Sequence, residues 1–181
     1  GVRQWGTYYG GIGQEESRSC VTDANGNVYM TGYSDANSST VIATSVSHQS
    51  AYGGGTDAFL VKFNSSGVRQ WGTYYGGTGN DYGNSCSVDA SGNVYMIGAT
   101  GSSSTGIMAT TGSHQSVYGG SGSYAGDAFL VKFNSSGIRQ WGTYYGGTDD
   151  DYGYSCSEDA LGNVYIVGDT RSLIDIATVG S

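Results

Sequence analysis

Apolar residues occur along the chain in short runs bounded by Gly, Asn, Asp and Ser, and this pattern predicts strands joined by turns. The run NVYMTG at Asn27–Gly32 has the β-branched and aromatic content of a strand, and near-copies follow at Asn93–Gly98 and Asn163–Gly168. The turn signal Asp-Ala-Asn-Gly joins the first of these runs to the segment around Cys20 as a hairpin. No stretch has the period and the caps of a helix.

Each unit contains two further predicted strands. The run FLVKF at Phe59–Phe63 is apolar except for Lys62, which is typical of a strand covered on both faces. The turn Asn64–Gly67 then leads into a fourth strand over Val68–Tyr75, with β-forming residues at alternate positions. Four antiparallel strands per unit, with a Gly-Gly corner between units, predict the blades of a β-propeller. A β-solenoid is the alternative, although its coils are usually shorter and lack two hairpin turns per unit.

The chain is a tandem repeat, which explains why the same runs return. The string GVRQWGTYYGG starts at Gly1 and Gly67 and returns as GIRQWGTYYGG at Gly137, so the starting points lie 66 and 70 residues apart. About two and two-thirds blades form an incomplete ring with open faces and unpaired strand edges. We therefore expect the remaining blades of a longer chain, or self-association, to close the ring. The predicted repeats span residues 1–66, 67–136 and, in part, 137–181, all within one propeller domain or a fragment of one.

The repeated letters resemble the SBBP type of bacterial β-propeller repeat. The string WGTYYGGTGNDYGNSCSVDASGNVYMIG, followed later by DAFLVKFNSSG, is similar to that family's pattern. The family's repeat runs from a W-x-T-Y-x-GG segment, through an acidic-Gly corner and D-x-x-GNVYVTG, to DAFVVKFN-x-x-G. The resemblance covers essentially the whole chain. It implies a multi-bladed propeller in a secreted or surface-attached bacterial protein, and it implies no single activity.

Composition and charge exclude several classes of protein. The chain has 33 Gly, no Pro and a formal net charge of −8, while 16 Tyr and 3 Trp supply the bulky apolar surface that a core needs. Only seven basic residues are present, which argues against a nucleic-acid groove. No apolar run approaches the length of a membrane span. The chain starts without Met or a signal peptide, so we expect any targeting segment to lie outside it. The family resemblance implies that the protein is extracellular or on the cell surface.

The Cys and His residues occur once per unit. Three Cys at equivalent positions on different blades are too far apart for disulfides, so we expect them to be small buried core residues. His48 and His114 each lie in a Ser-His-Gln-Ser segment of a long connection and are candidates for contact with a ligand. Alternatively, each His forms a hydrogen-bond network with the Asp and Trp of its unit, such as Asp57 and Trp71. Metal binding by these His residues ranks below that network, because no further His or Cys lies at ligand spacing.

Acidic corners follow the Gly-Gly segments, and the third corner is the most acidic. Asp149, Asp150 and Asp151 lie side by side in a Gly-rich segment, so they are candidate ligands for Ca²⁺, which prefers several oxygen ligands. The alternative is a solvated acidic loop. No other cofactor is expected.

Tyrosines differ in where the pattern places them. The Tyr-Tyr pairs and the Trp of each unit are expected to fill the gaps between blades. Tyr52, Tyr118 and Tyr124 lie in the long connections and are candidates for contact with a ligand. Corners and connections, where the copies differ, are where we expect partner specificity to reside.

These observations predict a non-enzymatic scaffold that presents loops for recognition or adhesion. The alternative is a lectin-like carbohydrate-binding module, assisted by calcium, that uses aromatic and acidic loop residues. A third hypothesis is part of an enzyme, but an enzyme needs one convergent set of acid, base or nucleophile, and nearly every reactive group here is repeated. A propeller fold by itself does not indicate any enzymatic reaction.

Overall fold

The computed structural model describes residues 1–37, 39–101, 107–120, 126–174 and 176, and these form an all-β structure. Besides the strands, the described residues contain one helical turn, α1, at Ser39–Ile42. None of the helical segments in the described residues is long and apolar enough to cross a membrane. The strands are β1 Glu15–Thr22, β2 Val28–Ser34, β3 Asp57–Phe63, β4 Arg69–Tyr75, β5 Asp81–Val88, β6 Val94–Thr100, β7 Asp127–Phe133, β8 Arg139–Tyr145, β9 Asp151–Glu158 and β10 Val164–Thr170.

The strands form three antiparallel sheets arranged as successive blades. The first sheet has the order β1-β2-β3-β4, the second has the order β5-β6-β7-β8, and β9 and β10 form a two-stranded third sheet. The first strands of neighbouring sheets contact each other, β1 with β5 and β5 with β9, so they form the inner side of the arrangement. The prediction of four-stranded antiparallel blades in an incomplete ring is confirmed.

Tight turns fix the hairpins at positions where the sequence carries Asp or Asn three residues before Gly. The Asp23 carboxylate accepts hydrogen bonds from the backbone N–H groups of Asn25 and Asn27, both at 2.9 Å. Gly26 completes this turn with a φ of 76°, in the left-handed region that favours glycine. Asn64 makes the equivalent pair of bonds in the turn between β3 and β4. The side chains of Asp and Asn therefore set these turns locally.

The segment that opens each sequence repeat is the outermost strand of the preceding sheet. Residues 1–14 copy the region of β4 but form no strand in this structure. Tyr9 nevertheless makes the same hydrogen bond as its counterparts. Its hydroxyl donates to the Ile42 carbonyl at 2.6 Å, and the Tyr145 hydroxyl donates to the Ile176 carbonyl at 2.7 Å. Tyr75 donates likewise to the Met108 carbonyl. The second Tyr of each pair therefore binds the long connection within its own repeat, which belongs to the next sheet, with or without strand pairing.

Aromatic side chains fill the junction between the first two sheets. Phe133 of β7 packs against Trp71 and Tyr75 of β4, with ring centroids 6.4 and 5.9 Å apart. The Trp71 indole N–H donates to the Ser135 carbonyl at 3.1 Å. The same indole covers Gly137, where a Cβ would lie 2.7 Å from the ring. The prediction that Tyr and Trp fill the gaps between blades is confirmed at this junction.

Two of the three Cys residues are buried, and none forms a disulfide. Cys86 lies against Ser19 and the Tyr29 carbonyl of the preceding sheet, and Cys156 lies 3.6 Å from the Ser87 hydroxyl. Cys20 is exposed, contrary to expectation. The reason is geometric, since each Cys points back toward the preceding sheet and β1 belongs to the first sheet.

We expect Gly137→Ala to lower the free energy of unfolding by about 3 kcal/mol. Left-handed backbone costs an L-residue roughly 1–2 kcal/mol, and the new methyl would also displace the Trp71 ring. Gly162→Ala is the matched control, because Gly162 has a φ of 86° and open space at the Cβ position. Urea denaturation of both variants measures the difference. Equal losses would contradict the packing of Trp71 on this turn.

Candidate functional site

Differences between the repeats are confined to part of each sheet. The third strands, β3 and β7, have the identical sequence DAFLVKF, and the fourth strands, β4 and β8, have the identical sequence RQWGTYY. The first strands instead read EESRSCVT, DYGNSCSV and DYGYSCSE, and the second strands differ as well. Within the sheets, the sequence therefore varies on the inner strands and is constant on the outer ones.

The variable positions converge on one surface that spans three sheets. A cleft of about 460 Å³ is lined by the inner strands, and we call it the inner-strand cleft. Its lining residues are Arg18, Tyr82, Asn84, Ala99, Tyr152 and Tyr154. The three repeats carry three different residues at two of the lining positions: Arg18, Asn84 and Tyr154 at one, and Tyr33, Ala99 and Asp169 at the other. Tyr82 and Tyr152 share the third position, where the first repeat has Glu16.

A β-bulge places one of these variable residues on each inner strand. In β1, Ser17 and Ser19 pair with consecutive residues of β2, so Arg18 is left without a cross-strand partner. Asn84 in β5 and Tyr154 in β9 are the unpaired residues of the equivalent bulges. A bulge redirects the extra side chain out of the regular alternation, and bulges are over-represented beside functional sites.

Aromatic rings give the inner-strand cleft much of its surface. Tyr33 and Tyr82 meet edge to face at a centroid distance of 5.1 Å, which links the first sheet to the second. Tyr152 and Tyr154 are stacked within β9 at 6.3 Å. Tyr154 is half exposed. Such rings offer apolar faces and polar edges to a ligand.

Polar groups line the rim of the same cleft. Asn84 Nδ2 donates to the Gly153 carbonyl at 2.9 Å, which connects the second and third sheets. Arg18 lies 2.7 Å from a Glu16 carboxylate oxygen, so a cation and an anion sit side by side. The Tyr154 hydroxyl donates to Asp169 Oδ2 at 3.0 Å, and this bond raises the pKa of Tyr154. The lining of the cleft therefore offers tyrosine hydroxyls, an amide and a cation, and the carboxylates of Glu16 and Asp169 lie beside it.

Asp149, Asp150 and Asp151 point to different partners. Asp149 is exposed, while Asp150 accepts from the Gly126 N–H at 3.2 Å. Asp151 accepts from the Gly147 N–H and from the Ser172 hydroxyl, at 2.8 and 2.9 Å. Among the residues that the structure describes, no group of three or more His, Cys, Asp or Glu is placed to hold a metal ion. Calcium binding by the three aspartates stays a prediction.

A buried pair of carboxylates lies at each corner between sheets. A Cβ placed on Gly76 would lie 2.6 Å from Asp81 Oδ2 and 2.9 Å from Asp57 Oδ1, so both carboxylates face the same point. Asp127 and Asp151 face Gly146 in the same way.

Burial controls the charge of these corner carboxylates. Asp57 is fully buried, and Gln49 and the Gly53 N–H donate to its Oδ2 at 3.0 and 2.8 Å. No hydrogen-bond partner of its Oδ1 lies among the described residues. Burial raises the pKa of Asp57 to about 7, and the nearby Asp81 adds to this rise. Burial likewise raises the pKa of Asp127 to about 6. Asp57 and Asp127 therefore retain a proton at a pH where isolated carboxyls are ionised.

The His residues pack against aromatic rings. His48 lies between Tyr75 and Phe133, with centroid distances of 5.8 and 6.0 Å, and burial lowers its pKa. His114 stacks on Tyr145 at 5.5 Å. The alternative network of His, Asp and Trp is wrong for the first unit, because Asp57 bonds to Gln49 and Gly53, and Trp71 bonds to Ser135.

The tyrosines of the long connections are partly buried. Tyr52 packs edge to face on Tyr74 at 5.8 Å and donates to the Gly55 carbonyl. Tyr118 packs on Tyr144 at 5.7 Å. Tyr124 lies outside the described residues. The structure therefore does not bring Tyr52, Tyr118, His48 and His114 together in one site, and their contact with a ligand stays a prediction.

The sequence comparison of the repeats contains a signal for the inner-strand cleft. Aligned unit by unit, Arg18, Asn84 and Tyr154 stand out within otherwise similar strands. These three residues lie in strands, so they are not among the candidates in the corners and connections. The sequence also does not show that each of them falls at a β-bulge. Only the packing of three sheets reveals that these positions share a surface.

Residues 70–104 match the family model for the SBBP beta-propeller repeat. This segment runs from the fourth strand of the first sheet through the first two strands of the second. No curated protein matches the chain. The predicted resemblance to the SBBP type of repeat is thereby confirmed.

Proposed function

We propose that this chain is part of a non-enzymatic propeller scaffold, secreted or on the cell surface, that recognises a ligand or partner through its inner-strand cleft. One observation carries the proposal. The outer strands that hold each blade together are identical, while the varied residues of the inner strands converge on one cleft. In a scaffold built by duplication of one repeat, we expect the amino-acid sequence of the repeats to differ where the scaffold contacts a partner.

Two features favour recognition over catalysis. Beside the cleft, Glu16 accepts a hydrogen bond from the Tyr33 hydroxyl at 2.7 Å and is paired with Arg18 of the lining, and these interactions lower the pKa of Glu16. A general acid or base requires the opposite, a carboxyl whose pKa is shifted toward neutrality. The carboxyls that are shifted in this way, Asp57 and Asp127, are buried at the corners, outside the cleft lining.

A second and narrower candidate function is carbohydrate binding by the cleft. The rings of Tyr82, Tyr152 and Tyr154 can stack on the apolar faces of a sugar. The Arg18 guanidinium and the Asn84 amide supply donors and acceptors for hydroxyl groups. Assistance by calcium belongs to the same candidate, and the acidic corner at Asp149–Asp151 is where it would act.

We expect Tyr154→Ser to lower the affinity for a glycan ligand at least tenfold, because it removes one of two stacked rings. A glycan array probed in calcium and in EDTA identifies the ligand, and isothermal titration calorimetry measures the loss. Tyr8→Ser is the matched control, since Tyr8 is fully exposed and lies outside the cleft. Equal affinity of Tyr154→Ser and the parent would contradict the assignment to the cleft.

A protein partner is tested in the same way if no glycan binds. A peptide display library is selected on the parent chain and depleted on a chain carrying Tyr154→Ser. Sequences that survive depletion should bind the parent and lose binding with Asn84→Ala, because both residues line the cleft. Recognition through this cleft would be overturned by a glycan-negative array combined with either of two outcomes: depletion on Tyr154→Ser removes every peptide that binds the parent, or the survivors bind the Asn84→Ala chain as tightly as the parent.

A further inference from the structure

Three cationic side chains of this protein share one arrangement. In each case, a Tyr hydroxyl donates a hydrogen bond to a carboxylate, and the cation lies over the ring of the same Tyr. The sets of Tyr, carboxylate and cation are Tyr29, Asp23 and Lys62; Tyr95, Asp89 and Lys132; and Tyr33, Glu16 and Arg18. The cations lie 5.1, 4.9 and 5.2 Å from the ring centroids, within the range of cation–π attraction.

The carboxylate adds to the attraction of the ring in two of these sets. Lys132 Nζ lies 3.8 Å from Asp89 Oδ2, and Arg18 Nε lies 2.7 Å from Glu16 Oε1. The ring supplies an electron-rich face and the carboxylate supplies the opposite charge, so the two together hold one positive charge. We call such a pair a Tyr–carboxylate receptor.

The inner-strand cleft contains a Tyr–carboxylate receptor that lacks the cation. The Tyr154 hydroxyl donates to Asp169 Oδ2 at 3.0 Å, and no cationic side chain among the described residues lies over the Tyr154 ring. Arg171 is near enough to act on Tyr154 electrostatically, but its guanidinium pairs with Asp150 at 3.5 Å. The receptor in the cleft is therefore formed but not used by the part of the chain that the structure describes.

The repeat pattern does not supply a cation to this receptor. Asp169 on β10 corresponds to Tyr33 on β2 and to Ala99 on β6. The residue opposite this position on the neighbouring third strand is Ala58 in the first sheet and Ala128 in the second. The Lys of the DAFLVKF strand lies four residues further along. A cation beside Asp169 therefore comes from a ligand and not from the next strand of the repeat.

The first and third sheets divide the same chemistry differently. At the three cleft positions, the first sheet carries an anion, a cation and a ring, which are Glu16, Arg18 and Tyr33. At the same positions the third sheet carries two rings and an anion, which are Tyr152, Tyr154 and Asp169. The two rings are stacked with an interplanar angle of 18°. The first sheet thus holds its own cation, whereas the third offers aromatic faces and negative charge.

We propose that the inner-strand cleft binds the Lys or Arg side chain of a basic segment of a protein partner, with its positive charge over the Tyr154 ring and beside Asp169. This inference rests on the proposed function, because it names the chemistry of the ligand that the same cleft recognises. The formal net charge of −8 favours it as well, since a negatively charged protein attracts a cationic partner at long range.

The rest of the lining fits a peptide better than a free amine. The cleft of about 460 Å³ is lined by residues of three sheets and is far larger than one ammonium group. The hydroxyls of Tyr82 and Tyr152 and the remaining N–H groups of Arg18 can bond to the main chain of an extended segment. Glu16 pairs with Arg18 at 2.7 Å and offsets its charge, so Arg18 does not exclude a second cation.

The peptide display library, selected on the parent chain and depleted on Tyr154→Ser, tests the charge of the ligand. Depletion on this variant also removes peptides that are attracted by net charge alone, because the substitution leaves the net charge unchanged. We expect the surviving peptides to be enriched in Lys or Arg. Exchange of that residue for its neutral analogue, norleucine or citrulline, should lower the affinity about tenfold in isothermal titration calorimetry.

Substitution of the carboxylate locates the cation. Asp169→Asn keeps an acceptor for the Tyr154 hydroxyl but removes the negative charge, so we expect it to lower the affinity of the surviving peptides about fivefold. Asp149→Asn is the matched control, because it changes the net charge equally at an exposed residue outside the cleft lining. Equal losses in the two variants would overturn the assignment, since they would trace the effect to net charge.

The remaining outcomes separate this inference from the proposed function. Surviving peptides that bind equally well with norleucine or citrulline would overturn the cationic ligand and leave recognition through the cleft intact. A glycan that needs Tyr154, in the absence of any surviving peptide, would do the same. Methylammonium that binds the parent chain as tightly as the Lys peptides would overturn the peptide source. Absence of both peptide and glycan binding would overturn the inference and the proposed function together.

Discussion

Replacing Phe133 with Ala is expected to lower the free energy of unfolding by about 4 kcal/mol, since buried Phe→Ala changes cost roughly 3–5 kcal/mol. The Phe133 side chain is fully buried and contacts Trp71, Tyr75 and His48 across the junction between sheets. The substitution therefore removes contacts within the second sheet and between the two sheets at once. Urea denaturation followed by tryptophan fluorescence measures the loss, because Trp71 reports directly on this junction.

Phe63→Ala is the matched control for that experiment. Phe63 occupies the same position in β3, is 6% exposed and packs on Trp5 and Tyr9. Those two residues belong to the segment before β1, which forms no strand. We expect a smaller loss, about 2–3 kcal/mol, because this segment contributes less fixed surface. An equal loss in both variants would show that the contacts within each sheet dominate and that the junction adds little.

Raising the pH from 5 to 8 is expected to lower the free energy of unfolding by on the order of 3 kcal/mol. Burial raises the pKa of Asp57 from 3.8 to about 7 and that of Asp127 to about 6. Between about pH 4 and these raised pKa values, the folded chain holds protons that the unfolded chain has released. Stability is therefore fully present below about pH 4 for these groups and is lost as the pH rises through 6 and 7.

Other titrating groups act in different windows. Hydrogen bonds lower the pKa of the turn carboxylates Asp23, Asp89 and Asp159, so their contribution changes only at acid pH. Burial lowers the pKa of His48, and this makes stability rise with pH around its ordinary value of 6.5. The net slope above pH 6.5 therefore belongs to the corner carboxyls.

The double variant Asp57→Asn, Asp127→Asn should flatten this dependence. An amide can accept the bonds from Gln49 and Gly53 and donate toward Asp81, as the protonated carboxyl does. We expect the variant to be more stable than the parent at pH 8 and about equal at pH 5, measured by urea denaturation. Asp149→Asn is the control, because Asp149 is exposed. A slope that survives in the double variant would contradict the assignment to these carboxyls.

Local chemistry explains why the strands could be predicted. The turns at Asp23 and Asn64 form through bonds between a side chain and the backbone two and four residues ahead. Such bonds need no tertiary context, and the repeat confirms each strand independently. The fate of Cys20 could not be predicted, because its exposure depends on a neighbouring sheet and not on its own segment.

The candidate site shows the opposite case. Sequence reasoning selected acidic and aromatic residues of the corners and connections, such as Asp151 and Tyr118, but these bond or pack within the junctions. The inner-strand cleft depends on bulges at Arg18, Asn84 and Tyr154, which leave each side chain unpaired in its strand. A bulge is a property of the pairing of two strands, and a single sequence does not reveal the register of that pairing.

The repeat in the sequence by itself determined the strands, their hairpin turns and the four-stranded blade, because each of these depends on residues close together in the chain. Only the tertiary structure decided which residues share a surface. It brought Asp57 to Asp81, Phe133 to Trp71, and the varied residues of three inner strands into one cleft. These contacts join residues from different sheets, and they follow from the packing of one sheet on the next rather than from any local signal.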